Sequence, residues 1–193
     1  MKTTRLNITR DGLAKAWADD DLLIGLEIGV YRGEFSDQLL SEPRILKLVS
    51  VDSWVVEDVR GQAAANERAA RELLAHWGPR SAIVKGDSLE VAEDMQAEGV
   101  LFDWIYIDGN HSYESCRADM EAYWPLVDSF GVLAGHDYKD RGREGPAKVF
   151  GARPERCGVK RAVDEFARSR GLPIQLTSER IAPSWLIRKG GAE

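Results

Sequence analysis

Five short stretches of this chain place acids, glycines and imidazoles where a small ligand could be held. Glu27 stands near the end of the mostly apolar run 22–28, and Gly29 and Gly33 follow it. Glycine accepts positive φ and lets a ligand approach the backbone closely. Free N–H groups at the start of the next helix would favour an anionic group there. Asp52 lies just past a second apolar run, 45–51. A carboxylate roughly 20 residues beyond a glycine loop can accept both hydroxyls of a ribose. Asp87 and Ser88 follow the run 81–85, Asp108 and His111 follow 101–107, and His136 and Asp137 follow the run that closes at 135. Taken singly, each has a plainer reading: a strand-to-helix turn with a chance Glu, a turn-capping Asp52, an N-capping Asp87 or Ser88, a core Trp54.

The elements between these stretches decide what they have in common. The apolar runs have the length and composition of buried parallel strands. The segments between them carry helical periods: Phe35, Leu39 and Leu40; Ala70, Leu73, Leu74 and Trp77; residues 89–97; Tyr113, Cys116, Met120 and Trp124; Val159, Ala162, Val163 and Phe166. A short helix over 10–20, capped by Thr9, precedes the first strand, and runs at 172–177 and 184–188 predict a closing antiparallel hairpin. Strand alternating with helix predicts a doubly wound α/β sheet. In such a sheet all five polar stretches come to the C-terminal rim, where ligands bind. Chance acids would scatter over both rims.

Bulk properties narrow the classes. A chain of 193 residues, 44% hydrophobic and 30% charged, reads as a single domain over 1–193. A net charge of −6 argues against nucleic acid as a partner. No apolar run is long enough for a membrane span and the N-terminus has no signal-like segment, so a cytoplasmic location is expected. Cys116 and Cys157 read as free thiols. One segment departs from the acidic balance: residues 139–161 hold eight Lys or Arg against three acids. Its stretch 139–158 lacks a hydrophobic period and reads as a loop on the substrate side. The local charge points to an anionic acceptor or, more plainly, to a solvated loop.

The motifs Leu-Glu-Ile-Gly-Val-Tyr-Arg-Gly, Ser-Val-Asp-Ser-Trp, Lys-Gly-Asp-Ser, Tyr-Ile-Asp-Gly-Asn-His-Ser-Tyr-Glu and Gly-His-Asp-Tyr occur in that order. Together they resemble the class I S-adenosylmethionine (SAM) dependent methyltransferases, and within them the small bacterial branch with macrocin-type and catechol-type O-methyltransferases. The resemblance spans roughly residues 20–170. It implies a Rossmann-like, three-layer fold with helices on both faces of a seven-stranded sheet whose last strand is antiparallel. It implies SAM as cofactor, with Glu27, Gly29, Tyr31 and Gly33 at the methionine end, Asp52 and Ser53 at the ribose, Trp54, Asp87 and Ser88 at the adenine, and Asp108 beside the methyl group. It also implies a divalent cation, Mg²⁺ or Mn²⁺, on Asp108, Asp137 and His136. Here the sequence departs from the pattern, because a His stands where an oxygen ligand is usual. Mg²⁺ prefers oxygen; a His favours a softer metal or no metal.

His111 lies where the catechol-type enzymes carry a catalytic lysine. An imidazole titrates near neutral pH and suits removal of a hydroxyl proton; the alternative is that it caps the next helix or orients Asp108. The expected activity is O-methylation of a small-molecule hydroxyl of sugar or natural-product type, with the acceptor itself unread and a homo-oligomeric neighbour left open as a contributor to its site. Besides a sugar- or lipid-modifying enzyme of another reaction type on this fold, two other readings stay open at this point. One is an NAD(P)-dependent enzyme on a similar fold, weakened by the missing G-x-G-x-x-G. The other is a non-catalytic SAM-binding partner subunit, which would not need Asp108, His111 and Asp137 together.

Overall fold

A computed structural model describes residues 2–17, 23–55, 62–141 and 157–190. In chain order the elements are β1 (Thr3–Arg5), α1 (Leu13–Trp17), β2 (Leu23–Ile28), α2 (Glu34–Leu40), β3 (Ile45–Asp52), α3 (Ala63–Leu74), β4 (Ser81–Lys85), α4 (Ser88–Ala97), β5 (Phe102–Ile107), α5 (Tyr113–Tyr123), β6 (Val127–Gly135), β7 (Asp140–Arg141), β8 (Cys157–Gly158), α6 (Val159–Ser169), β9 (Ile174–Leu176) and β10 (Trp185–Arg188). The main sheet has the order β1-β9-β10-β6-β5-β2-β3-β4. Strands β4, β3, β2, β5 and β6 run parallel, and β10 is antiparallel to both β6 and β9.

The chain builds outward from β2 through β3 to β4, then crosses back to place β5 on the other side of β2. That reversal opens a crevice between the C-terminal ends of β2 and β5, the place where an open α/β sheet takes its ligand. Backbone hydrogen bonds continue past the strand ends and lock the rim. The Gly29 N–H donates to the Val51 carbonyl (2.9 Å), Asp108 N–H to Ile28 (2.7 Å), and His136 N–H to Ile107 (3.0 Å).

Both faces of the sheet are covered, as the continuous apolar strands require. Alternation along β5 sends Ile105 and Ile107 into one core with Cys116, Met120, Val163 and Phe166 of α5 and α6. The same alternation sends Trp104 and Tyr106 into a second core with Leu13, Trp17, Leu39 and Leu40 of α1 and α2. Trp17 stacks on Trp104 with ring centroids 4.6 Å apart. Gly25 makes that possible, since a Cβ there would overlap the Trp104 indole.

Several expectations need correction. The main sheet has eight strands rather than seven, because Thr3–Arg5 pairs parallel with β9 at its edge. Three polar residues carry no strand period, and only tertiary pairing makes them a strand. The expected helix over 10–20 is a 3₁₀ turn, Arg10–Gly12, followed by the short α1, and the Thr9 hydroxyl makes no cap bond; residues 18–22 lie outside the described part. Leu73 is exposed although its period placed it with Ala70 and Leu74. The stretch read as a loop at 139–158 begins and ends in a two-stranded ribbon, β7 against β8; residues 142–156 lie outside the described part.

Candidate active site

Four parallel strand ends open into one cavity of about 1020 Å³. Of the residues expected in the site, Gly29, Tyr31, Asp52, Ser53, Trp54, Asp87, Ser88, Asp108 and His111 line it. Glu27, Gly33, His136 and Asp137 stand behind or beside its wall.

The glycine turn has the geometry its composition predicts. Gly29 has φ +92° and Gly33 φ +87°, the left-handed region that only glycine enters without strain. Gly29 is doubly constrained, because a Cβ would overlap the Asp108 carbonyl. The two loops flanking the crevice therefore touch through this one glycine. Gly33 precedes the first turn of α2 and packs 3.3 Å, at its Cβ position, from the Ala70 Cα.

Asp52 organises the next loop. Its Oδ2 accepts hydrogen bonds from the Val30 and Tyr31 N–H groups (2.8 and 2.9 Å), and its Oδ1 accepts from the Trp54 N–H (2.8 Å). Trp54 in turn donates its indole N–H to the Tyr31 carbonyl at 2.8 Å. Tyr31 and Trp54 both sit at positive φ, +54° and +47°. Such conformations cost ~1 kcal/mol or more each and persist where the surroundings impose them. Replacing Asp52 by Ala is expected to lower stability by about 1–2 kcal/mol, since water can reach part of the loop. Denaturant titration of the variant beside the parent checks this.

Also on the cavity wall, the N-cap of α4 is Asp87, not Ser88. The Asp87 carboxylate accepts from the Leu89 N–H at 2.9 Å, while the Ser88 hydroxyl donates to Asp119 at 2.6 Å. Asp119 was not foreseen. It lines the cavity, is nearly buried, and burial pushes its carboxyl up to about 6 despite the Ser88 bond. Its signal in the sequence was a lone acid on the apolar face that Cys116, Met120 and Tyr123 define.

Glu27 is buried beneath the turn, where Ser36 donates a short hydrogen bond and Ser50 a 3.3 Å bond to its Oε2. Burial, opposed by the Ser36 bond, pushes this carboxyl up to about 7. Folded Glu27 thus keeps a proton that the unfolded chain releases at lower pH. Its contribution is full below the ordinary Glu range and is lost as pH rises to about 7. The Glu27→Gln variant cannot ionise. It is expected to match the parent near pH 4 and to exceed it by about 3 kcal/mol at pH 8 in denaturant titrations.

Around Asp108 the structure gathers five further charged or titratable groups, and the six together come from three segments. His111 Nε2 is 3.2 Å from Asp108 Oδ1 and 3.2 Å from Asp137 Oδ2. His136 Nδ1 is 3.4 Å from Asp137 Oδ1 and 3.8 Å from Asp108 Oδ1. Arg10 Nη2 donates to Asp108 Oδ2 at 2.6 Å, and Lys139 pairs closely with Asp137. The hydrogen bond with Asp108 raises the His111 pKa above the ordinary imidazole value, against the opposing effect of burial. Burial lowers His136 below that value. Burial tends to raise Asp137, but the Lys139 bond and the nearby imidazoles outweigh it and hold the carboxyl below its usual range.

Arg10 had no motif to announce it. Strand β1 carries the N-terminal segment along β9, Ser178 N–H donates to the Ile8 carbonyl at 2.8 Å, and the Arg10 N–H is capped by Glu179. Its guanidinium then lies 3.7 Å above the Phe35 ring. The expected metal set does not fit this arrangement. Asp108 and Asp137 are each paired with a fixed cation, and among the described residues no group of three or more His, Cys, Asp or Glu is disposed to hold a metal ion.

The profile of a family described as a methyltransferase domain matches residues 26–138, more than half of the chain. The chain belongs to this methyltransferase family. The match runs from the glycine turn to the His136–Asp137 pair and so contains most of the cavity wall. With it the NAD(P)-enzyme reading falls away.

Solved structures place this methyltransferase domain within a wide fold group. It superposes on an O-methyltransferase from Bacillus cereus in complex with S-adenosylhomocysteine (SAH) with a TM-score of 0.67 at 18% identity, covering 93% of this chain and 80% of that one. An O-methyltransferase family protein from Burkholderia thailandensis gives 0.67 at 16% identity, with 94% of this chain and 56% of that chain covered. The TDP-rhamnose 3′-O-methyltransferase of calicheamicin biosynthesis gives 0.59 at 20%, covering 92% and 76%. Among curated proteins no sequence matches. These likenesses are of fold: the same mixed sheet with helices packed around it. Among the described residues, no helix is long and apolar enough to cross a membrane.

Proposed function

We propose that this methyltransferase uses SAM and transfers its methyl group to a hydroxyl of a small molecule. The observation that carries this reading is the one cavity whose wall holds the glycine turn, Asp52 and Asp87 together with Asp108 and His111. The SAH bound by the Bacillus cereus relative and the sugar substrate named for the calicheamicin enzyme support the choice of cofactor and acceptor class.

The donor set suits that cofactor. Gly29 keeps the crevice open, the Asp52 loop offers a carboxylate oxygen with spare acceptor capacity beside Trp54, and Asp87 and Ser88 stand where an adenine edge would lie. When bound, SAM supplies an already activated methyl group, so the protein's task is alignment and proton removal. His111 is the group placed for that second task. It faces the cavity, whereas His136 does not, and two carboxylates hold its ring. Glu27 braces the turn from behind through Ser36, and any effect on the methionine end passes through the turn.

Three cations of the basic segment are engaged within the protein: Lys139 on Asp137, Lys160 on Asp164 at 2.5 Å, and Arg161 over the Tyr113 ring at 3.7 Å. They support an acceptor site of balanced charge more than a free anion patch. The test is a pair of calorimetric titrations, one with SAH and one with NAD, followed by methyl transfer from labelled SAM to a panel of sugar and phenolic hydroxyls. SAH binding with labelled product supports the reading. A protein that takes up neither SAH nor methyl label overturns it.

A further inference from the structure

The Asp108–Asp137 cluster lies where a divalent cation was expected, yet its charges are already balanced. Two carboxylates face two cations that come from distant parts of the chain, Arg10 and Lys139. Both pairs are mostly shielded from solvent, with side-chain exposures of 24% for Arg10, 26% for Lys139, 18% for Asp108 and 16% for Asp137.

Arg10 is built into place. The β1–β9 pairing sets its backbone, the Glu179 carboxylate caps its N–H, and Phe35 and Tyr106 flank its guanidinium at 3.7 and 5.3 Å. A guanidinium stacked on rings and bonded to a carboxylate has little freedom to leave. A metal ion entering here would have to displace it from Asp108 Oδ2 and displace Lys139 from Asp137. Each displaced cation would stay nearby and repel the newcomer. Two imidazoles complete the ring of groups, and neither offers the oxygen donors that Mg²⁺ requires.

We infer that Arg10 and Lys139 stand in for the divalent cation, and that this methyltransferase works without a metal. The positive charge near the acceptor oxygen then comes from side chains. The consequence for activity rests on the function proposed above; the consequence for metal binding does not.

The experiment titrates Mn²⁺ into the full chain by calorimetry and by loss of the free Mn²⁺ EPR signal, with a parallel SAH titration. The parent is expected to bind Mn²⁺ no tighter than ~1 mM, and turnover should survive dialysis against EDTA. The double variant Arg10→Gln/Lys139→Gln exposes both carboxylates and should bind Mn²⁺ at least about tenfold tighter than the parent. Should the double variant fail to fold by circular dichroism, Lys139→Gln alone frees Asp137 and should show a smaller gain in the same direction. Stoichiometric, tight Mn²⁺ uptake by the parent, or loss of turnover in EDTA, overturns the inference. So does a folded variant that gains no affinity. Failure of SAH to bind would count against the proposed function and leave the metal result to be judged by itself.

Discussion

The Gly29→Ala variant is expected to lose SAH binding and about 3 kcal/mol of stability, roughly 10 °C in Tm for a domain of this size. Two independent costs add at this position. The backbone sits at φ +92°, which a side chain enters with strain, and the new Cβ would overlap the Asp108 carbonyl and lie 2.7 Å from the Gly109 nitrogen. Relief requires the β2–α2 loop and the β5–α5 loop to part. That movement breaks the Asp108 N–H bond to Ile28 and shifts His111 in the loop that leads into α5. Glycine in the same turn but away from the crevice behaves differently. Gly33→Ala meets only the side chain of Leu74 and the Ala70 Cα at 3.3–3.4 Å, so stability falls by ~1–2 kcal/mol and SAH binding is largely kept. Thermal melts of the two variants beside the parent, with SAH titrations, give the comparison. Equal effects at both positions would mean that φ alone matters and that the Gly29–Asp108 contact does not.

Replacing His111 by Ala should reduce kcat by roughly 10²- to 10⁴-fold, the usual worth of a positioned general base, with SAH affinity within about threefold of the parent. The pH profile adds a sign. His111 must be neutral to accept a proton, and its bond to Asp108 raises its pKa above the ordinary imidazole value. Turnover of the parent should therefore climb with pH through a midpoint higher than that of free His. Asp108→Asn removes the largest cause of the rise, so the midpoint should move to lower pH even as the maximal rate drops. His136 serves as the internal control. Burial keeps it neutral to lower pH than His111, yet it does not line the cavity, and His136→Ala should cost far less in kcat. A profile whose midpoint is unmoved by Asp108→Asn, or a larger loss at His136, would transfer the role away from His111.

Both variants act on the seam between β2 and β5, and the sequence by itself announces that seam. The glycines at 29 and 33, the acids at the ends of the strands, and the alternation of strand and helix are local features. A parallel strand buried on both faces is apolar along its whole length, and a turn that needs positive φ selects glycine, so short windows of sequence carry the information. Direction follows as well: once strands are parallel, all their C-terminal ends share one rim. For this reason nine of the named candidates line one cavity.

What the windows could not carry was contact between segments far apart in the chain. Asp119 announces itself only faintly, as an acid on an apolar helix face. Strand β1 is three polar residues whose partner lies some 170 positions away, and no period marks a strand held by its edge alone. Arg10 depends on that pairing, on Glu179 from the β9–β10 loop and on the Phe35 ring, none of which a linear motif encodes. The metal expectation rested on residue types at Asp108, His136 and Asp137. Types alone say which atoms could bind a cation; only packing brings the side chains of Arg10 and Lys139 onto those carboxylates.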